Sequence, residues 1–216
     1  MTTGTYNTTH EARRDASRPR EFSDFVWTAE NAVQVETIFT RYPETRRASA
    51  IMPLLWLAQE QMGATTGSAW LPVPVIEYVA GTIGMPYMRA YEVATFYTMY
   101  NLKPIGRYLV QVCGTTPCLL RGSDDLLRAC IDKGLVKGGT TADKLFTLSE
   151  VECLGACANA PMVQINADNY EDLDYDRMTA LLAALARGET PKTGSAIGRT
   201  ASCPEGGPTT LLEMAG

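Results

Sequence analysis

Apolar residues recur at helix spacing through the first half of the chain and at strand spacing through parts of the second. Val35, Ile38, Phe39 and Tyr42 fall on one helical face, and so do Val75, Ile76, Val79, Ala80 and Ile83. Pro43, Pro53, Pro74 and Pro86 punctuate this stretch at positions suited to first turns, where a missing N–H costs nothing. The region from Thr28 to Tyr100 is therefore predicted to form roughly four helices in a small bundle, a domain spanning 28–102.

From Ile105 the period changes. Tyr108-Leu-Val-Gln-Val-Cys113 is rich in β-branched and aromatic residues and predicts a strand. A helix is predicted from about Thr116 to Lys133, with Leu119, Leu126, Leu127 and Cys130 towards one face. Leu145–Glu152 and Met162–Ile165 predict two further strands. Met178, Leu181, Leu182 and Leu185 form the stripe of a last helix over Tyr175–Arg187, and Gly188 is its stop signal. A strand–helix–strand–strand–helix order makes 103–188 a small α/β layer domain. The whole chain is then α+β or α/β: a helical bundle followed by a sheet domain.

The two ends differ from both. Residues 1–27 are rich in Thr, Ser and Arg, with acidic Glu11, Asp15 and Glu21, and are read as a disordered tail rather than a targeting signal. No apolar signal segment precedes the helical region. Residues 189–216, with Thr190-Pro-Lys-Thr-Gly and Pro204-Glu-Gly-Gly-Pro, carry too little apolar content to fold alone. They read either as a flexible end or as an extended segment ordered on a partner.

Composition narrows the function. At 216 residues, 45% hydrophobic and 20% charged, the chain can bury a real core. Its longest apolar runs, such as Ile51 to Ala58, fall far short of the ~20 residues a membrane span requires, so no direct membrane insertion is expected. A net charge of −5 with no basic stripe argues against nucleic acid. There is no nucleophile–base pair, no phosphate loop and no nicotinamide fingerprint, so no independent active site is expected.

The chemistry lies in cysteine. Cys113-Gly-Thr-Thr-Pro-Cys118 and Cys153-Leu-Gly-Ala-Cys157 each deliver two sulfurs from one loop at a strand edge. In an intracellular, reducing setting such pairs suit metal ligation better than disulfides. A two-iron cluster, a structural zinc ion, and disulfides or free thiols all remain open on spacing alone. The gap of four residues in the first pair disfavours a thioredoxin-type redox motif, which wants two. His10 is the only histidine, so a mixed Cys–His centre needing two is excluded. Pro117 suits a first turn, so the N–H groups of Gly114, Thr115 and Thr116 are expected to face the sulfurs and stabilise their charge. Gly155 and Ala156 keep the second loop small. Cys130 is expected to be a small buried hydrophobe, and Cys203 a spare thiol in the tail.

Three segments go further than spacing: Tyr91-Glu-Val-Ala-Thr-Phe-Tyr-Thr-Met-Tyr100, Val112-Cys-Gly-Thr-Thr-Pro-Cys-Leu-Leu120 and Val151-Glu-Cys-Leu-Gly-Ala-Cys-Ala-Asn-Ala-Pro-Met162. They resemble the thioredoxin-like [2Fe–2S] subunit of respiratory complex I, NADH:quinone oxidoreductase. The resemblance runs from about Phe39 into the tail. It implies a thioredoxin-like ferredoxin domain after a helical one, with one [2Fe–2S] cluster on Cys113, Cys118, Cys153 and Cys157. It also implies two partners: a flavoprotein subunit that binds FMN and NADH, and a large multi-cluster iron–sulfur subunit. The implied place is the cytoplasmic face of the bacterial inner membrane, reached through the complex, rather than the mitochondrial matrix.

Related subunits of NAD-reducing hydrogenases and NAD-linked formate dehydrogenases share the cysteine motifs. Gly198-Arg199 with Gly206-Gly-Pro-Thr-Thr-Leu211 resembles the complex I tail and favours that reading over theirs. A zinc-stabilised scaffold is the rival of another class. Two departures from the family pattern stand out. Ala64 to Ala69 lengthen the connection before Trp70-Leu71, and Asp143-Lys144 stands where the family commonly has Asp-Gly, at a turn requiring positive φ. The aromatic and Met residues of Tyr91 to Tyr100 cover almost every face of a short helix, which predicts burial within the protein, with a partner surface as the alternative.

Overall fold

Thr28 opens the first helix: its hydroxyl accepts the N–H of Asn31 at 3.2 Å, the capping arrangement that Ser and Thr favour. The computed structural model describes residues 21–207 and 209–210, and divides into two compact units that meet in sequence at Pro104 and Ile105. In the first unit α1 (Ala29–Phe39) is followed by a 3₁₀ segment (Glu44–Ala50), α2 (Ile51–Thr66), α3 (Val73–Ile83) and α4 (Tyr87–Phe96). Pro43 and Pro86 sit just outside their helices, and Pro53 and Pro74 inside first turns. Leu54, Leu55, Ala58 and Met62 of α2 bury against Val75, Ile76 and Val79 of α3 and Val35 and Ile38 of α1.

Two buried amides of α2 tie the flanking chain to this core. Gln61 Oε1 accepts from Thr28 N–H and Asn31 Nδ2, and its Nε2 donates to the Val26 carbonyl at 2.8 Å. Gln59 Nε2 donates to the Met99 carbonyl, and its Oε1 accepts Asn101 N–H at 2.7 Å. Most of the N-terminal tail, including His10, lies outside the described residues. Its last part packs: Phe22 meets Trp70 edge-on, and Phe25 meets Tyr78.

Two expectations change here. The residues after Gly63 lengthen α2 rather than a loop, and Gly67 closes the helix at φ 78°. The Tyr91–Tyr100 segment is not one buried helix. It leaves helix at Phe96, and within it only Ala94 and Tyr100 are buried, while Phe96 is 77% exposed with Tyr97 and Met99 also at the surface. Ala94 and Tyr100 take the core positions and Tyr91 packs beside them, while the rings of Phe96 and Tyr97 face outward.

In the second unit β1 (Tyr108–Cys113) leads to α5 (Thr116–Leu120), α6 (Ser123–Asp132) and β2 (Phe146–Val151). A 3₁₀ turn (Cys157–Asn159), β3 (Val163–Ile165), β4 (Asp168–Glu171), α7 (Tyr175–Ala186) and β5 (Gly194–Ser195) follow. The sheet order is β2-β1-β3-β4-β5; β2 lies parallel to β1, β3 and β4 are antiparallel neighbours, and β5 lies parallel to β4. Val110, Val112, Leu148, Val163 and Ile165 form one core with Leu126, Ala129 and Cys130 of α6 and Met178, Leu181 and Leu182 of α7. A helical unit before a mixed sheet is an α+β architecture.

The single helix expected from Thr116 to Lys133 is two helices. Gly122 takes φ 102°, which ends one helix and starts the next, and Leu119 turns out half-exposed instead of sharing the face of Leu126 and Cys130. Strands β4 and β5 were not among the expected elements. No helix among the described residues is long and apolar enough to cross a membrane.

Lys144 holds the turn before β2 at φ 58°. Its N–H donates to the Thr141 carbonyl at 2.8 Å, and the Asp143 carboxylate accepts from the Thr141 hydroxyl and Leu145 N–H. Those two donors hold the Asp143 carboxyl below the usual carboxylate range. A left-handed backbone costs a residue with a Cβ about 1–2 kcal/mol, and glycine returns roughly 0.5–1 kcal/mol of that as lost chain entropy. Lys144→Gly is expected to raise stability by up to about 1 kcal/mol, read as the midpoint of chemical denaturation followed by circular dichroism; a lower midpoint would contradict this.

Candidate metal centre

The parallel register sets the site. Cys113, last in β1, stands opposite Val151, last in β2, so the chain leaves both strands at the same end of the sheet. The loop after β1 carries Cys118 and the loop after β2 carries Cys153 and Cys157. Gly114 N–H closes that end by donating to the Val151 carbonyl at 2.9 Å. It is therefore spent on the backbone rather than on sulfur, contrary to the expectation from sequence. α5 is also only five residues long, so its macrodipole is small.

The four sulfurs come as two pairs. Cys113 and Cys118 are buried among Ala160 and Met162, with Leu154 and Ala156 partly covering them. Cys153 and Cys157 are exposed, with their Sγ atoms 3.4 Å apart. Among the described residues no three His, Cys, Asp or Glu side chains are arranged to hold a single metal ion.

Hydrogen-bond donors surround the sulfurs. The Thr115 hydroxyl lies 3.3 Å from Cys113 Sγ and also reaches Cys153. Backbone N–H groups of Thr115 and Leu154 donate to Cys113, Met162 N–H to Cys118, and Gly155 N–H to Cys153 at 3.4 Å. Gly155 reaches this position at φ 86°, a conformation an L side chain would strain. Burial works against ionising Cys113, but the Thr115, Cys118 and Leu154 hydrogen bonds outweigh it and hold that thiol below its usual range. Burial, with Cys113 beside it, pushes Cys118 up to about 12. Gly155 N–H and Cys157 lower Cys153, and Cys157 is raised in turn by Cys153 and by burial. Ionised sulfur is thus supported at one member of each pair, and the four sense one another's charge. A cationic centre would relieve that repulsion.

Sequence reasoning missed several contributors. The Thr115 hydroxyl and the Leu154 and Met162 amides each act on sulfur, and Asn159, Asp172 and Arg199 brace the loop that carries Cys157. Cys130 lies in the sheet core, where burial pushes its thiol up to about 12. Cys203 is half-buried in the tail, and its carbonyl accepts from Arg199 Nη1 at 3.1 Å.

Residues 35–186 match the family described as thioredoxin-like [2Fe-2S] ferredoxin. A NADH-quinone oxidoreductase subunit from Rickettsia conorii is 55% identical over 166 residues, covering 76% of this chain and 96% of the relative. Its counterpart from Rickettsia prowazekii is 57% identical over 159 residues, 73% of this chain and 87% of the relative. Among solved structures, the air-oxidised NAD+-reducing [NiFe]-hydrogenase superposes with a TM-score of 0.52 at 21% identity, over 62% of this chain but 23% of that one.

Proposed function

Since the chain belongs to the thioredoxin-like [2Fe–2S] ferredoxin family, we propose that Cys113, Cys118, Cys153 and Cys157 are the four ligands of its one cluster. The observation that carries this is the pair of cysteine loops leaving the same end of two parallel strands, with N–H and hydroxyl donors aimed at the sulfurs. The chain is an electron-transfer subunit of a NADH:quinone oxidoreductase, with no independent active site.

A bound two-iron cluster supplies reversible one-electron transfer. This chain's residues do the rest. Cys113 and Cys118, buried with Ala160 and Met162, would hold the cluster together with the exposed Cys153 and Cys157. The Thr115, Leu154, Gly155 and Met162 N–H groups stabilise negative charge on sulfur, a contact that raises a cluster's potential.

The partners we propose are a flavoprotein subunit carrying FMN and NADH, and a large multi-cluster iron–sulfur subunit, in a complex that places this chain at the cytoplasmic face of a bacterial inner membrane. The half-exposed Leu119 and the exposed Leu120, next to Cys118, support a docked neighbour on this side. The alternative, the equivalent subunit of a hydrogenase, shares the fold at 21% identity, whereas the relatives at 55–57% identity are quinone oxidoreductase subunits.

Metal analysis of anaerobically purified protein tests the reading. We expect about two irons per chain and, after reduction with dithionite, the rhombic EPR signal of a single two-iron centre. A colourless chain with one zinc and no iron would sink it.

A further inference from the structure

The tail is held by its own domain. β5 pairs with β4, and Ala196 N–H donates to the Glu171 carbonyl at 2.9 Å. Arg199 then enters the domain with its side chain 9% exposed, against an Asp172 side chain 4% exposed. Its Nη2 and Nε bind the two carboxylate oxygens of Asp172 at 2.6 and 3.1 Å. Nη1 donates to the Ala158 carbonyl at 3.3 Å and to the Cys203 carbonyl. The Ser195 hydroxyl donates to Asp172 and accepts Arg199 N–H at 3.1 Å.

The same residues converge on the turn that follows Cys157. Asp172 N–H donates to the Asn159 carbonyl at 2.8 Å. Asn159 is buried, and its Nδ2 donates to Glu171 Oε2 at 2.6 Å and to the tail carbonyl of Ala201 at 2.8 Å. Among the described residues its Oδ1 has no partner, and these bonds are the ones that hold the turn. Ala158 and Asn159 are thus tied into the network one and two residues beyond a proposed ligand. Asp172 itself sits at φ 54°, a conformation kept because the surrounding bonds fix it.

We infer that residues 194–203 form a clasp over the loop of Cys157, and that Arg199 and Asp172 are positioning residues for the cluster. Arg199 does not touch sulfur. It fixes the Ala158 carbonyl, holds Asp172 against Asn159, and so sets where Cys157 points. By thermodynamic reciprocity, a clasp that steadies a bound cluster is itself steadied by that cluster.

This inference rests on Cys157 being a ligand, as proposed above, and the test separates the two. The loaded full-length chain is mixed with excess iron chelator, and loss of its visible absorption is timed. Arg199→Met is expected to release iron about tenfold faster or more, the usual scale for removing a group that orients a metal ligand. Arg199→Lys keeps the charge without the fork that binds carboxylate and carbonyls together, and its rate falls between. Leu182→Ala, in the core of α7, serves as the merely destabilised comparison and should release iron near the unaltered rate.

Arg199→Met releasing no faster than the unaltered chain, or Leu182→Ala matching it, overturns the clasp. Amide hydrogen exchange provides a second readout that needs no variant. Residues 196–203 should exchange faster in the unaltered chain once its iron is stripped, and equal exchange also overturns the clasp. An unaltered chain that never held iron overturns the ligand reading instead.

Discussion

Cys153→Ala is expected to take the iron content from about two per chain to almost none, whereas Cys130→Ala keeps it. The two thiols are matched in chemistry and opposite in setting. Cys153 is exposed, accepts Gly155 N–H and lies 3.4 Å from Cys157. Cys130 is enclosed by the sheet core, where a small side chain is all that is needed. A missing thiolate leaves one iron with an open position and an unbalanced charge. Cys130→Ala removes only one sulfur atom's packing, and its cost falls on stability. Iron analysis with the visible spectrum of the purified variants decides the matter: equal iron in both would mean that the ligand set is wrong.

Asp172→Asn should be the most destabilising single change outside the hydrophobic core, at about 3 kcal/mol, the lower end for breaking a buried ion pair. Asparagine preserves volume and tolerates the left-handed backbone at φ 54°, so the change removes the charge and turns one oxygen that accepts from Arg199 or Ser195 into a donor. The cost comes from the Arg199 guanidinium, which is left buried without its counterion. Exposed pairs offer the contrast. Arg89–Glu92 and Arg187–Glu189 are more than half exposed at each side chain, and breaking either should leave the denaturation midpoint almost unmoved. The measurement can be confined to the second unit, because Trp27, Trp56 and Trp70 all lie in the first. Tryptophan fluorescence reports the helical unit, and the cluster's visible absorption reports the sheet unit. A midpoint shift in that absorption of less than about 1 kcal/mol would show the pair to be dispensable.

The elements legible in the sequence are those with a strong period. Tyr108–Cys113 alternates into β1, and Met178, Leu181, Leu182 and Leu185 stripe α7. Those not foreseen lack one. β4 is Asp-Asn-Tyr-Glu, a strand because Asn166 turns the chain at φ 55° and Tyr170 buries its ring, not because its residues prefer extension. β5 is two residues long, held by pairing with β4. The break at Gly122 did carry a signal, since Ser-Asp-Asp follows it as the acidic first turn of α6.

The site was legible in another way. The cysteine pairs stand out at once, but their spacing left iron and zinc both open, and the surrounding motifs named the cluster. What surrounds the sulfurs could not be read. The Thr115 hydroxyl has no sequence mark that separates it from other threonines. Asp172 and Arg199 lie 27 residues apart, and only the folded sheet brings a loop aspartate under a tail arginine. The tail was expected to lack the means to fold alone for want of apolar residues. A buried ion pair and backbone pairing, rather than apolar area, dock 194–203.

The in-register parallel pairing of β1 and β2 acts as a ruler. Neighbouring strands lie about 4.8 Å apart whatever their loops contain. The distance between the two cysteine loops is therefore set by the sheet, whose core includes Val110, Val112 and Leu148. Loop lengths can drift, four intervening residues in one and three in the other, without moving the anchors. A zinc finger folds only as its metal arrives, and the binding energy is consumed in making the fold. Here the strands that carry the two loops are paired and packed through apolar side chains of their own, so the anchors of the site are set by the sheet and not by the loops.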